Sequence, residues 1–224
     1  MSTTSRAAMS VSPLWLQASI LTFLVGFAVL GYLAIRVYQD HPPIPAKVVA
    51  ENGVTIFTAD DVRSGQELFL TYGLMQYGSI YGHGAYLGPD FTADYLHRQA
   101  VEMQSRYGGD ANAQVRVKHE LQANRYDRAS DVLTWTDGQA QAFDVLVKHY
   151  QDTVLNRQES GGGGVGPHAV VNPDESRKIA AFIGWTAWTA AARRPGHPHS
   201  YTNNWPPEPL VGGGDQVSSL VPGT

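Results

Sequence analysis

The sequence predicts a mainly α-helical protein in which one N-terminal membrane-spanning helix is followed by a helical domain with a small β-hairpin. Three observations predict it. No residue between Arg6 and Arg36 is charged, and residues 14–35 are almost wholly apolar. The segments that follow repeat apolar side chains every three or four residues behind recognisable caps. One Asn-Gly pair, Asn52-Gly53, divides a short stretch rich in β-branched residues.

Residues 14–35 make about 33 Å of helix, which matches a bilayer core. Trp15 and Tyr32 lie near its two ends, where amphipathic rings favour the membrane interface. A cleavable signal peptide has a shorter apolar run and a small-residue cleavage site, so a retained anchor fits better. Arg6 stands on one side while Arg36 and Lys47 stand on the other, so charge leaves the orientation open. A Pro-rich spacer over 37–47 is expected to hold the domain off the membrane. The domain itself is placed at 48–160, a Gly-rich linker at 161–171, a further helix at 172–194 and an irregular tail at 195–224.

Within the domain, residues 48–57 read as a hairpin with a type I′ turn at Asn52-Gly53. A helix over 60–72 has Thr58 and Asp61 at capping-box spacing and ends at Gly73. Thr92 is expected to open the next helix, whose stripe Leu96, Ala100, Met103 and Tyr107 stops at Gly108-Gly109. A weaker helix spans 113–125, and 131–135 is extended. Thr136 and Gln139 then cap a helix over 137–155 whose stripe is Phe143, Leu146, Val147, Tyr150 and Val154. Its expected partner is the helix over 60–72. Gly161 to Gly164 mark a break. Asn172, Pro173, Asp174 and Glu175 open a helix too short to span a bilayer; with Trp185 and Trp188 it either rests on the membrane surface or is buried against protein, and burial is the expectation.

Composition narrows the chemistry. Sixteen basic residues against twenty acidic ones give a net charge of -4 without a basic run, so nucleic acid is not a partner. The 224 residues contain no cysteine, which removes disulfides, thiolate metal sites, iron–sulfur clusters and covalent haem. Eight histidines invite a metal reading, but none has ligand spacing. His119-Glu120 lacks a second histidine at zincin spacing, His97 and His149 lie on separate helices, and His197 and His199 lack a third ligand. The membrane helix holds no histidine for an axial haem ligand. No catalytic, cofactor-binding or metal-binding residue is assigned.

The distinctive strings are YGLMQYGSIYGHGAYLGPDFTADYLHR (72–98) and KIAAFIGWTAWTAAARRPGHPHSYTNNWPPEPLVG (178–212). They resemble the N-terminal region of quinol-dependent nitric oxide reductase, whose large subunit carries a fused haem-free cytochrome c-like domain, and the similarity covers residues 30–212. The resemblance implies a cytochrome c-like fold, anchored by a single pass in the cell inner membrane and facing the periplasm. It implies a denitrification or nitric oxide detoxification enzyme that reduces nitric oxide to nitrous oxide. In the full-length family a multi-helix module with haem b, a second b-type haem and non-haem iron does this chemistry. The helices that hold those groups are not in this chain, which is expected to bind no cofactor, to be inactive alone and to be a fragment, apparently truncated after residue 212.

Related two-subunit enzymes attach a haem through C-x-x-C-H shortly before a G-x-G-A-Y segment. Laid on Gly82 to Tyr86, that resemblance puts the motif over Leu74, Met75, Gln76, Tyr77 and Gly78. Met75, Tyr77, Tyr81 and Tyr86 are then expected to fill part of the vacated volume, because an empty cavity is costly. With His83 and Trp205 they form the candidate interface, in which the loop 78–91 and the tail 195–209 dock on the catalytic module. The alternative is a free-standing, membrane-anchored periplasmic module that captures a ligand beneath the aromatic loop.

Overall fold

Cap chemistry places the first element. In the computed structural model, which describes residues 12–152 and 172–212, the Ser12 hydroxyl accepts from the Leu14 amide to start helix α1 (Pro13–Asp40). Pro13 sits where a helix needs no N–H. No residue of α1 is buried, and the helix is long and apolar enough to cross a membrane. Its hydroxyls are satisfied within the helix: Ser19 and Thr22 donate to carbonyls four residues back. The chain divides into two units, this helix through His41 and a body from Pro42 onward.

The body begins earlier than a free spacer would allow. Pro45 is buried, Ile44 packs on the core, and the Pro43 carbonyl accepts from the Trp185 indole at 2.9 Å. Residues 42–46 therefore belong to the body's surface and do not stand off from it.

Strands β1 (Lys47–Ala50) and β2 (Thr55–Thr58) form the expected hairpin, but the turn differs. Of the pair Asn52-Gly53, only Gly53 takes a positive φ, at 84°. Its amide donates to the Ala50 carbonyl at 2.8 Å, while the Ala50 amide donates to the Val54 carbonyl at 2.9 Å. This is the three-residue connection in which a left-handed glycine follows an ordinary turn. The Asn52 side chain instead accepts from the Val54 amide. The sheet also grows beyond the hairpin, because β6 (Val132–Trp135) runs parallel to β1 and β5 (Tyr126–Asp127) pairs antiparallel with β6.

Helix α2 (Ala59–Thr71) has its capping box of Thr58 and Asp61 and ends at left-handed Gly73. Helix α3 (Phe91–Arg106) starts earlier than expected: Asp90, not Thr92, is its cap, accepting from the Ala93 amide at 2.9 Å. Asp110 caps α4 (Ala111–Gln122), and Thr136 with Gln139 caps α5 (Asp137–Tyr150). Val154 and the glycine run 161–164 lie outside the described residues. Helix α6 (Pro173–Ala191) opens on the Asn172–Glu175 capping box.

Helix α6 is the hub, with thirteen buried residues and contacts to α2, α3, α4 and α5. The expected pairing of α5 with α2 is not the one formed. The stripe Phe143, Leu146 and Tyr150 lies on α3 and α6, and α2 packs on α6. Backbone approach explains the choice: a Cβ at Gly65 would lie 1.9 Å from the Lys178 carbonyl oxygen, so α2 and α6 touch main chain to main chain. Ala180, Ala181 and Ala187 keep α6 slim along its length. Around it, Phe69 stacks edge-on with Phe91 at 5.1 Å and Phe182 at 5.5 Å, and Phe57 meets Trp135 at 5.2 Å. Each such side chain contributes roughly 1.5–3 kcal/mol by burial.

Candidate functional site

Between α2 and α3 the chain must turn back within a few residues, and its glycines decide how. After the 3-10 turn Leu74–Gln76, strands β3 (Ser79–Ile80) and β4 (His83–Gly84) pair across a two-residue corner. Tyr81 and Gly82 both lie in the left-handed region, at φ 53° and 78°. That is the type I′ geometry expected at Asn52-Gly53, found here instead. A tyrosine in this conformation costs about 1–2 kcal/mol.

Three contacts offset that cost. The Tyr81 phenol is hydrogen-bonded to the Thr189 hydroxyl of α6, and burial pushes its pKa far above the ordinary range. The Asp90 carboxylate accepts from the Gly82 amide at 2.6 Å and from the Ser79 hydroxyl at 2.8 Å, so the residue that caps α3 also closes the hairpin. The Trp205 indole N–H donates to the Tyr81 carbonyl at 3.0 Å, with its ring laid on Gly82. Loop and tail therefore form one surface. Beneath it, Thr92 donates to Thr186, Thr186 donates to the Ile183 carbonyl and Thr189 donates to the Thr186 carbonyl. These buried hydroxyls are consumed in structure.

The six predicted residues divide by burial. Met75, Tyr77 and Tyr81 pack against the core, and Tyr77 also lies under the loop at Gly88, where a Cβ would meet its ring at 2.4 Å. Tyr86, expected to fill interior volume with them, is 85% exposed, and its neighbour Leu87 is 80% exposed. The reason is the hairpin, which turns the chain outward before residue 86. His83 is exposed on β4 and Trp205 is half exposed.

The residues present do not fit a covalently held haem. Residues 74–78 offer neither thiol nor imidazole, and Leu74, Met75 and Tyr77 turn into or onto the core. Three clefts of about 260, 240 and 200 Å³ are lined by none of the aromatic loop's residues, although Pro198, Asn204 and Pro206 of the tail line the second. The largest unites His97 and His149 with Arg98, Val101 and Leu146, although the two histidines belong to different helices. Burial and the Arg98 charge hold the His149 imidazole below its usual pKa. Among the described residues no three His, Asp or Glu side chains gather as a metal site.

Two polar centres escaped sequence reading. Buried Glu120 accepts from Tyr107, Arg116 and Thr136, each at 2.8 Å, and the Arg116 guanidinium lies 3.8 Å over the Tyr107 ring. Burial pushes this carboxyl up, but the three donors outweigh it, and its pKa falls below the usual range. The other is Glu208, nearly buried in the tail, which accepts from the Leu210 amide at 3.1 Å and meets His97 Nδ1 at 3.2 Å. Asp90 had a legible signal, since Pro-Asp before an apolar repeat is a cap signature. Glu120 had only its i,i+4 spacing from Arg116, because its other two donors come from the ends of α3 and α5.

Residues 45–207 match the family described as the cytochrome c-like domain of the nitric oxide reductase chain NorB. No curated protein matches the chain.

Proposed function

The chain belongs to the NorB cytochrome c-like family of nitric oxide reductase, and from that membership we propose that it is the membrane anchor and haem-free extracytoplasmic domain of a quinol-dependent nitric oxide reductase. In this reading α1 anchors the chain in the inner membrane with the body on the periplasmic side. The body takes no part in electron transfer. It docks on a multi-helix partner whose haem b, second b-type haem and non-haem iron reduce nitric oxide to nitrous oxide. The docking face is the tail 195–209 around Trp205, braced by the hairpin.

The observation that supports this reading is the segment 74–81, which offers neither the thiols nor the imidazole of a haem-attachment motif and whose Leu74, Met75, Tyr77, Ile80 and Tyr81 pack on the core. The test uses the full chain purified in detergent. The expected result is no haem absorbance and no consumption of nitric oxide, with co-purification of a haem-bearing membrane protein when one of this family is co-expressed. Stoichiometric haem or iron, or turnover of nitric oxide by the chain alone, overturns it.

A further inference from the structure

The chain carries a net charge of -4, yet no Asp or Glu occurs from residue 176 to residue 207, the run that supplies most of α6 and most of the tail. Where the end of α6 and the tail meet α4 lies the cleft of about 240 Å³, and Lys118, Gln122, Arg193 and Asn204 are among its walls. Among the described residues neither Lys118 nor Arg193 is paired with a carboxylate. The one acid that lines the cleft, Glu208, is engaged by His97 and by the Leu210 amide. Each donor is held before anything binds. The Arg193 guanidinium donates to Gln122 Oε1 at 2.8 Å, and Gln122 Nε2 donates to the Val211 carbonyl at 2.6 Å. The Lys118 stem lies along the tail, where a Cβ at Gly212 would meet its Cε at 2.5 Å. The Asn204 side-chain oxygen accepts from the Ser200 amide at 2.9 Å, which leaves its NH2 as the group able to donate. Donors fixed in this way lose little freedom on binding, and a guanidinium beside an ammonium suits a carboxylate.

We infer that this cleft receives an acidic side chain, Asp or Glu, from the protein partner. The inference rests on the docking role proposed for the tail and gives that contact its chemistry. Two observations favour an acidic segment of a protein over a free anion. Asn204 and Pro206 line the cleft from either side of Trp205, which is half exposed, so the cleft is continuous with the docking face. Lys118 and Arg193 against Glu208 leave the cleft one positive charge, which matches a single carboxylate and not a phosphate of about two negative charges. An aromatic side chain flanked by placed cations is also the composition of a protein-binding surface.

The test titrates the full chain, in neutral detergent, against a separately purified haem-bearing membrane protein of this family. Four chains are compared: the parent, the double variant Lys118→Glu with Arg193→Glu, the milder pair Lys118→Gln with Arg193→Gln, and Lys148→Glu on exposed α5 as a matched change of charge elsewhere. Circular dichroism establishes that each is folded, and the glutamine pair decides the matter if the glutamate pair is not. The expected result is binding weakened roughly tenfold or more in the glutamate pair and by less in the glutamine pair, with Lys148→Glu within about twofold of the parent. The parent's affinity should also fall with added salt more steeply than that of either pair. Parent-like binding by both pairs overturns the acidic contact and leaves the docking role intact. No binding by the parent overturns the docking role and the acidic contact together. An equal loss in Lys148→Glu overturns the contact, because the effect is then one of overall charge. Saturable binding of inorganic phosphate to the chain alone, lost in the glutamate pair, also overturns it and assigns the cleft to a small anion or headgroup.

Discussion

The indole N–H of Trp205 donates to the main-chain carbonyl of Tyr81 over 3.0 Å, joining the irregular tail to the one non-glycine residue that holds a left-handed corner in the aromatic hairpin. The bond is made to main chain, so it depends on the hairpin's shape and not on the identity of residue 81. Trp205→Phe keeps most of the ring and removes the donor. Chemical denaturation of the detergent-solubilised chain is expected to show a loss of about 1 kcal/mol. Trp205→Ala, which also uncovers Gly82, is expected to cost more.

Main-chain proximity sets the second expectation. Gly65→Ala places a methyl group 1.9 Å from the Lys178 carbonyl oxygen, with no flexible neighbour to yield. The α2–α6 contact must open, at roughly 1–3 kcal/mol. Leu70→Ala, at an exposed position of the same helix, is expected to stay within about 0.5 kcal/mol of the parent. Equal effects from the two would show that α2 is not seated on α6 through Gly65.

Glu120 gives stability an acid limb. Its carboxyl titrates below the usual range, so its contribution is fully present above the unfolded glutamate pKa of about 4.3 and disappears as pH falls through the lower folded value. Glu120→Gln is expected to destabilise the body by about 1–3 kcal/mol near neutral pH, because an uncharged amide keeps one acceptor oxygen and puts an NH2 donor where Tyr107 and Thr136, or Arg116, need the other. The gap between parent and variant should close as pH drops below about 4. A gap independent of pH would mean that the carboxylate's charge is not what the three donors hold.

At the alkaline end the sign reverses. Burial, reinforced by Asp144 for Tyr95 and by Asp94 for Tyr150, raises both phenols well above their ordinary pKa. Stability from keeping them protonated is complete below the unfolded tyrosine value of about 10 and is lost as pH rises beyond it. In a spectroscopic titration, the last phenolate absorbance is expected to appear together with loss of helical circular dichroism. In Tyr150→Phe, which also frees the Asp94 carboxylate from its 2.9 Å bond, the coupled step should carry one phenol fewer.

What the amino-acid sequence determined by itself is whatever is written within one turn or one strand. The apolar run of α1, the capping boxes at Thr58, Thr136 and Asn172, the glycine stops at Gly73 and Gly108, and the burial of α6 all depend on neighbours a few residues away. Family membership was likewise legible, because long idiosyncratic strings carry it. The tertiary structure alone decided which helix takes which partner, that β6 extends the hairpin into a sheet, and that Tyr81 rather than Asn52 takes the type I′ corner. It also decided that Tyr86 points to water and that Glu120 is a hub. Each of these is settled by groups distant in the chain competing for one space or one donor, and local sequence carries no record of how that competition ends.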